Sequence, residues 1–303
     1  MLRPRYERLL TERTNRASRA LDCLSPLAIA RLMNREDWLA VRAVGRALPA
    51  IARAVDLIVA SLRRGGRLFF VGAGSSGRLG VLEAAECPPT FGTPRGLVQA
   101  IMAGGRASVF RAREGAEDDV TAAVRAVGAR VRPGDVVVGV SASGVTPFVR
   151  AALAAARRGG AATVLVVCNP MRRRQGAAQA LIALRPGPEV LAGSTRLKAG
   201  TATKLVLNTL TTASMARLGR IYGNRMVDLQ PRSRKLRARA LRLIQDVADV
   251  PRPAAARALD AAGNRVRLAI VMARRGLSAP AAARVLRAAG GSLRTVLGGD
   301  SHR

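Results

Sequence analysis

Two hydroxyl- and glycine-rich turns hold the residues best suited to chemistry. The first, Gly72-Ala73-Gly74-Ser75-Ser76-Gly77, follows the apolar run Leu68 to Val71 and precedes a stretch with helical apolar spacing (Leu79, Val81, Leu82, Ala85). Strand, turn and helix in that order make an anion cradle, because the first N–H groups of a helix are unpaired and carry partial positive charge. Ser75 and Ser76 add two hydroxyl donors. The second turn, Ser141-Ala142-Ser143-Gly144-Val145-Thr146-Pro147, also leads into a helix, with Pro147 suited to the first helical position. A serine turn that only caps a helix is common, so either turn alone says little. The first turn also matches G-x-G-x-x-G, which raises a dinucleotide site. That site expects an acidic residue at the end of the next strand, about 20 residues on. The next strand candidate, Val98 to Met102, ends in Ala103-Gly104-Gly105, and the Gly-Lys-Ser/Thr ending of a Walker loop is missing too. A small phosphorylated ligand fits better.

These turns need a scaffold that brings them together. Short apolar runs at 68–72, 98–102, 136–140, 163–168 and 180–184 read as strands, with helical stretches near 77–86, 117–129 and 147–157 between them. The first of these helices is expected to stop at Pro88-Pro89. Continuous rather than alternating apolar runs indicate strands covered on both faces, hence a parallel sheet. The expected fold is α/β, a doubly wound five-stranded parallel sheet of flavodoxin-like order 2-1-3-4-5. Ligands then bind at the carboxyl ends of the first and third strands, where the strand order reverses. Both hydroxyl-rich turns fall at that switch point, and together they are far more specific than either is alone.

Before the sheet, Ser25 to Leu32 and Val41 to Leu62 carry helical spacing. After it, Gly193 to Leu218 reads as a loop and a long helix, and 220–230 as a connector. Residues 232 to about 297 form a small helical bundle broken at Pro251, Pro253, Gly263, Gly276 and Gly290-Gly291. The expected division is an N-terminal helical segment 1–60, a domain 61–230 built on the sheet and a C-terminal bundle 231–303.

Composition bounds the function. Of 303 residues, 49% are hydrophobic, enough for a core, but only 3% are aromatic. Lysine and arginine number 51 against 19 acidic residues, for a net charge of +32. Such charge draws polyanions, yet it is spread along the chain without the interleaved aromatics of a nucleic-acid stacking platform. No specific nucleic acid is expected as a partner. Cys23, Cys87 and Cys168 lack metal-ligand spacing, and the single histidine, His302, leaves no material for a zinc site or a histidine-based triad. With neither a signal-peptide core nor a run approaching the ~20 residues of a membrane span, a cytoplasmic protein with reduced thiols is expected.

Several stretches resemble the N-acetylmuramic acid 6-phosphate etherases, built on a sugar isomerase (SIS) domain. They are LLTERTNRASRALDCLS, VGAGSSGRLGVLEAAECPPTFG, REGAEDD, SASGVTPFV, CNP, GSTRLKAGTATKLVLNTLTT, YGNRMVDLQ and the late AIVM. ECPPTFG and TRLKAGTA are the specific ones. The resemblance implies a cytoplasmic homodimer with sites near the subunit interface. It also implies a reaction without metal or redox cofactor that cleaves the lactyl ether of a phosphorylated amino sugar, giving N-acetylglucosamine 6-phosphate and D-lactate. On the family's motif the general acid falls on Glu86 and the base on Glu117. Glu86 ends a helix beside the first turn, on a face opposite Leu82 and Ala85, but a solvated helix-end glutamate would read the same. Glu117 equally suits a first helical turn for its dipole, and only the resemblance separates it from Glu114. Glu83 reads as a surface residue. For the substrate, loop position and resemblance together point to Ser75, Ser76, Ser141, Ser143 and Thr146. The resemblance alone points to Ser194 and Lys198, and gives Glu189 a lesser role. Three features depart from the family: Val145 where arginine usually follows SASG, Met171-Arg172-Arg173-Arg174 after Cys168-Asn169-Pro170, and Asp37-Trp38-Leu39. The alternative function is a non-catalytic sugar-phosphate sensor or regulator on the same fold. A sensor has no need of an acid–base pair; SIS regulators usually carry an N-terminal helix-turn-helix domain, whereas the 60 or so residues before the sheet resemble the etherases instead.

Overall fold

The computed structural model describes residues 9–170 and 178–298. Leu68-Phe69-Phe70-Val71 lies in β1 (Leu68–Gly72), buried along its whole length. With β2 (Val98–Met102), β3 (Val136–Val140), β4 (Ala162–Val167) and β5 (Ala180–Ala183) it forms a five-stranded parallel sheet in the order β2-β1-β3-β4-β5. Leu68 stands opposite both Val98 and Val136. The apolar runs are continuous because helices cover both faces. On one face Phe69, Val71, Val137 and Leu165 pack with Val127 of α4 (Val120–Arg130) and Val149 and Leu153 of α5 (Pro147–Arg158). Against the other lies α2 (Leu48–Arg63), packed on β3, β4 and β5. There α3 (Gly74–Phe91) approaches so closely that a Cβ at Gly80 would stand 2.8 Å from Phe70 Cβ.

The N-terminal helices are α1 (Pro26–Gly45), whose first turn is capped by Ser25, and α2. Asp37-Trp38-Leu39 lies inside α1, with Trp38 64% exposed. Pro88-Pro89, expected to end α3, sits within it instead. Proline's fixed φ is compatible with a helix, but each ring removes a donor and crowds the carbonyl four residues back. The helix therefore closes one turn later, where Gly92 N–H donates to Pro88 O at 3.0 Å. Gly92 has φ +60, and a Cβ there would sit 2.6 Å from Asp228 Cβ.

The chain groups into two compact units, one of Met1–Ala85 with Gly96–Thr211 and one of Glu86–Arg95 with Thr212–Arg303. The first holds the sheet and most of the long helix α6 (Lys198–Arg217). In the second, the stretch expected as a connector contains a small hairpin, β6 (Ile221–Tyr222) with β7 (Arg225–Met226). Five helices follow: α7 (Arg234–Ala248), α8 (Arg252–Ala261), α9 (Val266–Arg275), α10 (Ala279–Ala288) and α11 (Leu293–Leu297). Their core includes Val227, Ile244, Leu259, Ile270 and Leu293. Asp228 pairs with Arg267 and, at 3.6 Å, with Arg220. Burial raises its carboxyl above the ordinary range against the pull of both arginines. Among the described residues no helix is long and apolar enough to cross a membrane.

Gly77→Ala would bring a Cβ to 2.6 Å from Gly72 O, whereas Gly128, inside α4, has nothing within 4 Å of an added Cβ. Urea denaturation is expected to show Gly77→Ala losing about 1–3 kcal/mol and Gly128→Ala gaining about 0.5–1 kcal/mol.

Candidate functional site

Because β1 has β2 on one side and β3 on the other, the strand order reverses between β1 and β3. A cavity of about 580 Å³ opens beyond their carboxyl ends. One wall is Gly74-Ser75-Ser76, the start of α3. Here the glycines serve packing: a Cβ on Gly72 would sit 2.7 Å from Gly77 N. That approach sets the helix directly on the strand end, and Gly74 (φ +52) makes the bend. The first-turn N–H groups of α3 have no partner inside the helix. The opposite wall carries Ser141, Ser143, Val145 and Thr146 at the start of α5. Ser141 Oγ lies 2.7 Å from Thr146 Oγ1 and 3.3 Å from Ser143 Oγ. Gly144 N–H donates to Ser141 Oγ at 3.0 Å and Val145 N–H to Ser143 Oγ at 3.2 Å. Each hydroxyl can turn its proton toward a ligand oxygen, since each is both donor and acceptor. Five expected ligand residues, Ser75, Ser76, Ser141, Ser143 and Thr146, thus line one cavity.

Glu117 lines it as well. It sits in a 3-10 turn, Ala116–Asp118, ahead of α4, whose N-cap is Asp119 accepting from Ala122 N–H at 2.8 Å. The helix expected from 117 therefore begins at Val120 and leaves Glu117 exposed in the turn. Glu114 lines only a smaller neighbouring cavity of about 180 Å³. Geometry thus separates two glutamates that spacing alone could not. Arg78 steadies the approach to this turn: Nε donates to Val109 O at 2.8 Å and Nη2 to Ser108 O at 2.9 Å.

Glu86 is exposed on α3, belongs to the second unit, and is not among the residues lining either cavity. Glu83, read as a surface residue, is instead buried and accepts a hydrogen bond from Thr211 Oγ1. The inward face of α3 runs through Glu83 and Cys87, four residues apart. Leu82, apolar, is 44% exposed.

Ser194 is half-buried, and its neighbours Gly193 and Thr195 line the cavity while it does not. Lys198, expected at the sugar, is 1% exposed, with its ammonium paired to Glu36 of α1. Asn15 Nδ2 donates to the same Glu36 oxygen at 2.7 Å. A buried ammonium requires such a partner. Glu189 caps α6, accepting from Lys198 N–H and Ala199 N–H at 2.9 Å each. Burial raises its pKa above the ordinary range, opposed by those two bonds. Burial likewise pushes the Cys168 thiol up to about 12.

No lysine or arginine lines the larger cavity among the described residues, and Val145 stands at its wall. Met171-Arg172-Arg173-Arg174 lies outside the described residues. Nor do the described residues include a group of three or more His, Cys, Asp or Glu able to hold a metal ion. Leu9 and Glu12 also line the cavity and were not singled out by composition or spacing. Only their place in LLTERTN, a stretch that carries the family resemblance, marks them.

Lys198→Met would leave the Glu36 carboxylate buried without its cation. Denaturation should show a loss of about 3–5 kcal/mol, much of it recovered by the double variant Glu36→Gln/Lys198→Met.

A family model described as the glucokinase regulatory protein N-terminal SIS domain matches residues 50–157. A protein of Symbiobacterium thermophilum named N-acetylmuramic acid 6-phosphate etherase is 54% identical over 264 residues, covering 87% of this chain and 88% of its own length. One of the same name from Synechocystis sp. is 50% identical, covering 89% of each. Among solved structures, a phosphoheptose isomerase from Francisella tularensis superposes with TM-score 0.50 at 16% identity, covering 65% of this chain and 98% of that one. That likeness speaks for the fold.

Proposed function

From the premise that this chain belongs to the N-acetylmuramic acid 6-phosphate etherase family, we propose how its own residues divide the work. The protein is a carbon–oxygen lyase that cleaves the D-lactyl ether of N-acetylmuramic acid 6-phosphate, giving N-acetylglucosamine 6-phosphate and D-lactate. The observation that carries the residue assignment is that Glu117 and the hydroxyl-rich starts of α3 and α5 line one cavity.

The phosphate is held by the Ser75, Ser76, Ser141, Ser143 and Thr146 hydroxyls together with the free N–H groups at the two helix starts. Opening of the sugar ring exposes an aldehyde, which acidifies the proton on carbon 2. Glu117 removes that proton, and the electron pair forms a carbon 2–carbon 3 double bond. The lactyl oxygen leaves carbon 3 with a proton from Glu86. Water then adds to carbon 3 and a proton returns to carbon 2, so the sum is ether plus water to alcohol plus lactate. A base and an acid in these places each contribute roughly 10²–10⁴-fold. Glu86 takes its role from the family motif. Ser194 and Lys198 act on this reading as support for the cavity wall that Gly193 and Thr195 form.

The family resemblance further supports a cytoplasmic homodimer. Trp38, 64% exposed, and Phe110, 85% exposed, are large apolar surfaces of the kind a partner subunit covers. The +32 charge is read as solvated surface arginine, without a specific nucleic-acid partner.

Wild-type protein given N-acetylmuramic acid 6-phosphate without added metal should release lactate, and Glu86→Gln and Glu117→Gln should each lower the rate by about 10²–10⁴. In D₂O the sugar product should carry one deuterium at carbon 2. In ¹⁸O-water the label should enter the sugar and not the lactate. Saturable binding without lactate release would contradict catalysis and favour the sensor.

A further inference from the structure

The larger cavity contains a carboxylate that the elimination does not use. Glu12 lines it from the N-terminal segment, across from the start of α5. The segment is latched in place by buried polar groups. Leu10 N–H donates to Asn169 Oδ1 at 2.6 Å, and Asn169 Nδ2 donates to Ala142 O at 2.9 Å, tying the segment to the loop after β3. Gly193 N–H donates to the carbonyl of Thr11, a residue 1% exposed, at 3.1 Å. Within this latch Thr11 Oγ1 donates to Glu12 Oε1 at 3.0 Å. Oε2 has no hydrogen-bond partner among the described residues; it stands 3.4 Å from where a Cβ on Gly193 (φ +78) would be.

A carboxylate cannot share the hydroxyl cluster with a phosphate dianion, because like charges at contact distance repel by kilocalories even in a high-dielectric site. It is an acceptor without a proton to give. Its partner must therefore be an O–H or N–H donor away from the phosphate.

We infer that Glu12 is a substrate-binding residue whose Oε2 accepts a hydrogen bond from an O–H or N–H of the sugar, so that the N-terminal segment reads the sugar while the two helix starts read the phosphate. This rests on the sugar-phosphate reading above. It adds a specificity determinant to the acid–base pair.

The test is calorimetric binding to full-length Glu12→Gln and Glu12→Ala, with N-acetylglucosamine 6-phosphate, glucose 6-phosphate and inorganic phosphate as probes. The Ala variant should bind N-acetylglucosamine 6-phosphate about 10–100-fold more weakly, the range expected for a hydrogen bond to a charged group. The Gln variant, which keeps the shape and one acceptor, should fall between. Inorganic phosphate, which reads only the helix starts, should bind both variants as well as wild type. In turnover, KM should rise with kcat nearly unchanged. Weaker binding of both sugar phosphates identifies a hydroxyl as the donor; weaker binding of the N-acetyl sugar alone identifies the amide. Unchanged N-acetylglucosamine 6-phosphate affinity in Glu12→Ala overturns the inference alone. A parallel loss of phosphate affinity also overturns it, because the segment would then be purely structural. Wild-type protein that binds neither sugar phosphate removes the underlying reading, and the inference with it.

Discussion

The close approach of the β1 end to the start of α3 is the constraint on which the site depends. Gly72 and Gly77 meet with no room for a Cβ between them, so the helix begins immediately above the strand and its first residues, Gly74 to Ser76, line the crevice. A single side chain at either position would push the helix start away and withdraw its donors. Parallel pairing of β1 with β3 then brings the second helix start alongside, with Ser141, Ser143 and Thr146 already bonded to one another. Sheet topology and two glycines thus fix the paired helix starts before any charged side chain is considered.

The cavity achieves its polarity in an unusual way for so basic a chain. With 51 lysines and arginines in the sequence, none lines the larger cavity among the described residues, while Glu12, Glu117 and Asp118 do. On the proposed reading, hydroxyls, N–H groups and helix dipoles would bind an anion without the long flexible cations that would also neutralise a catalytic carboxylate. A base needs its negative charge free at the moment it takes a proton. Lys198, the cation that the resemblance placed at the sugar, is buried with its ammonium paired to Glu36, which also accepts from Asn15.

Much of the fold was legible because parallel strands covered on both faces leave uninterrupted apolar runs, and five such runs with two hydroxyl-rich turns imply both the strand order and the crevice. The misreadings share a cause in tertiary context. Leu82 and Ala85 look like the inward face of α3, yet Leu82 is exposed while Glu83 is buried against Thr211, 128 residues away. Pro88-Pro89 breaks an isolated helix, but here it lies within the last turns of one. Glu12 reaches the cavity beside Thr11, which is bonded to Asn169 and Gly193, contacts that no local spacing encodes. Only the motif singled out Glu117, and only the structure shows that it, unlike Glu114, lines the larger cavity.

The central claim is that the paired helix starts recognise a phosphate through hydroxyl and N–H donors. The most direct measurement compares the affinity of the Glu117→Gln protein for N-acetylglucosamine 6-phosphate and for unphosphorylated N-acetylglucosamine, with and without Ser141→Ala. The account predicts that the phosphate strengthens binding by about 10²-fold or more and that Ser141→Ala weakens only the phosphorylated ligand. Equal affinity for both sugars, or a Ser141→Ala loss that is the same for each, would contradict it.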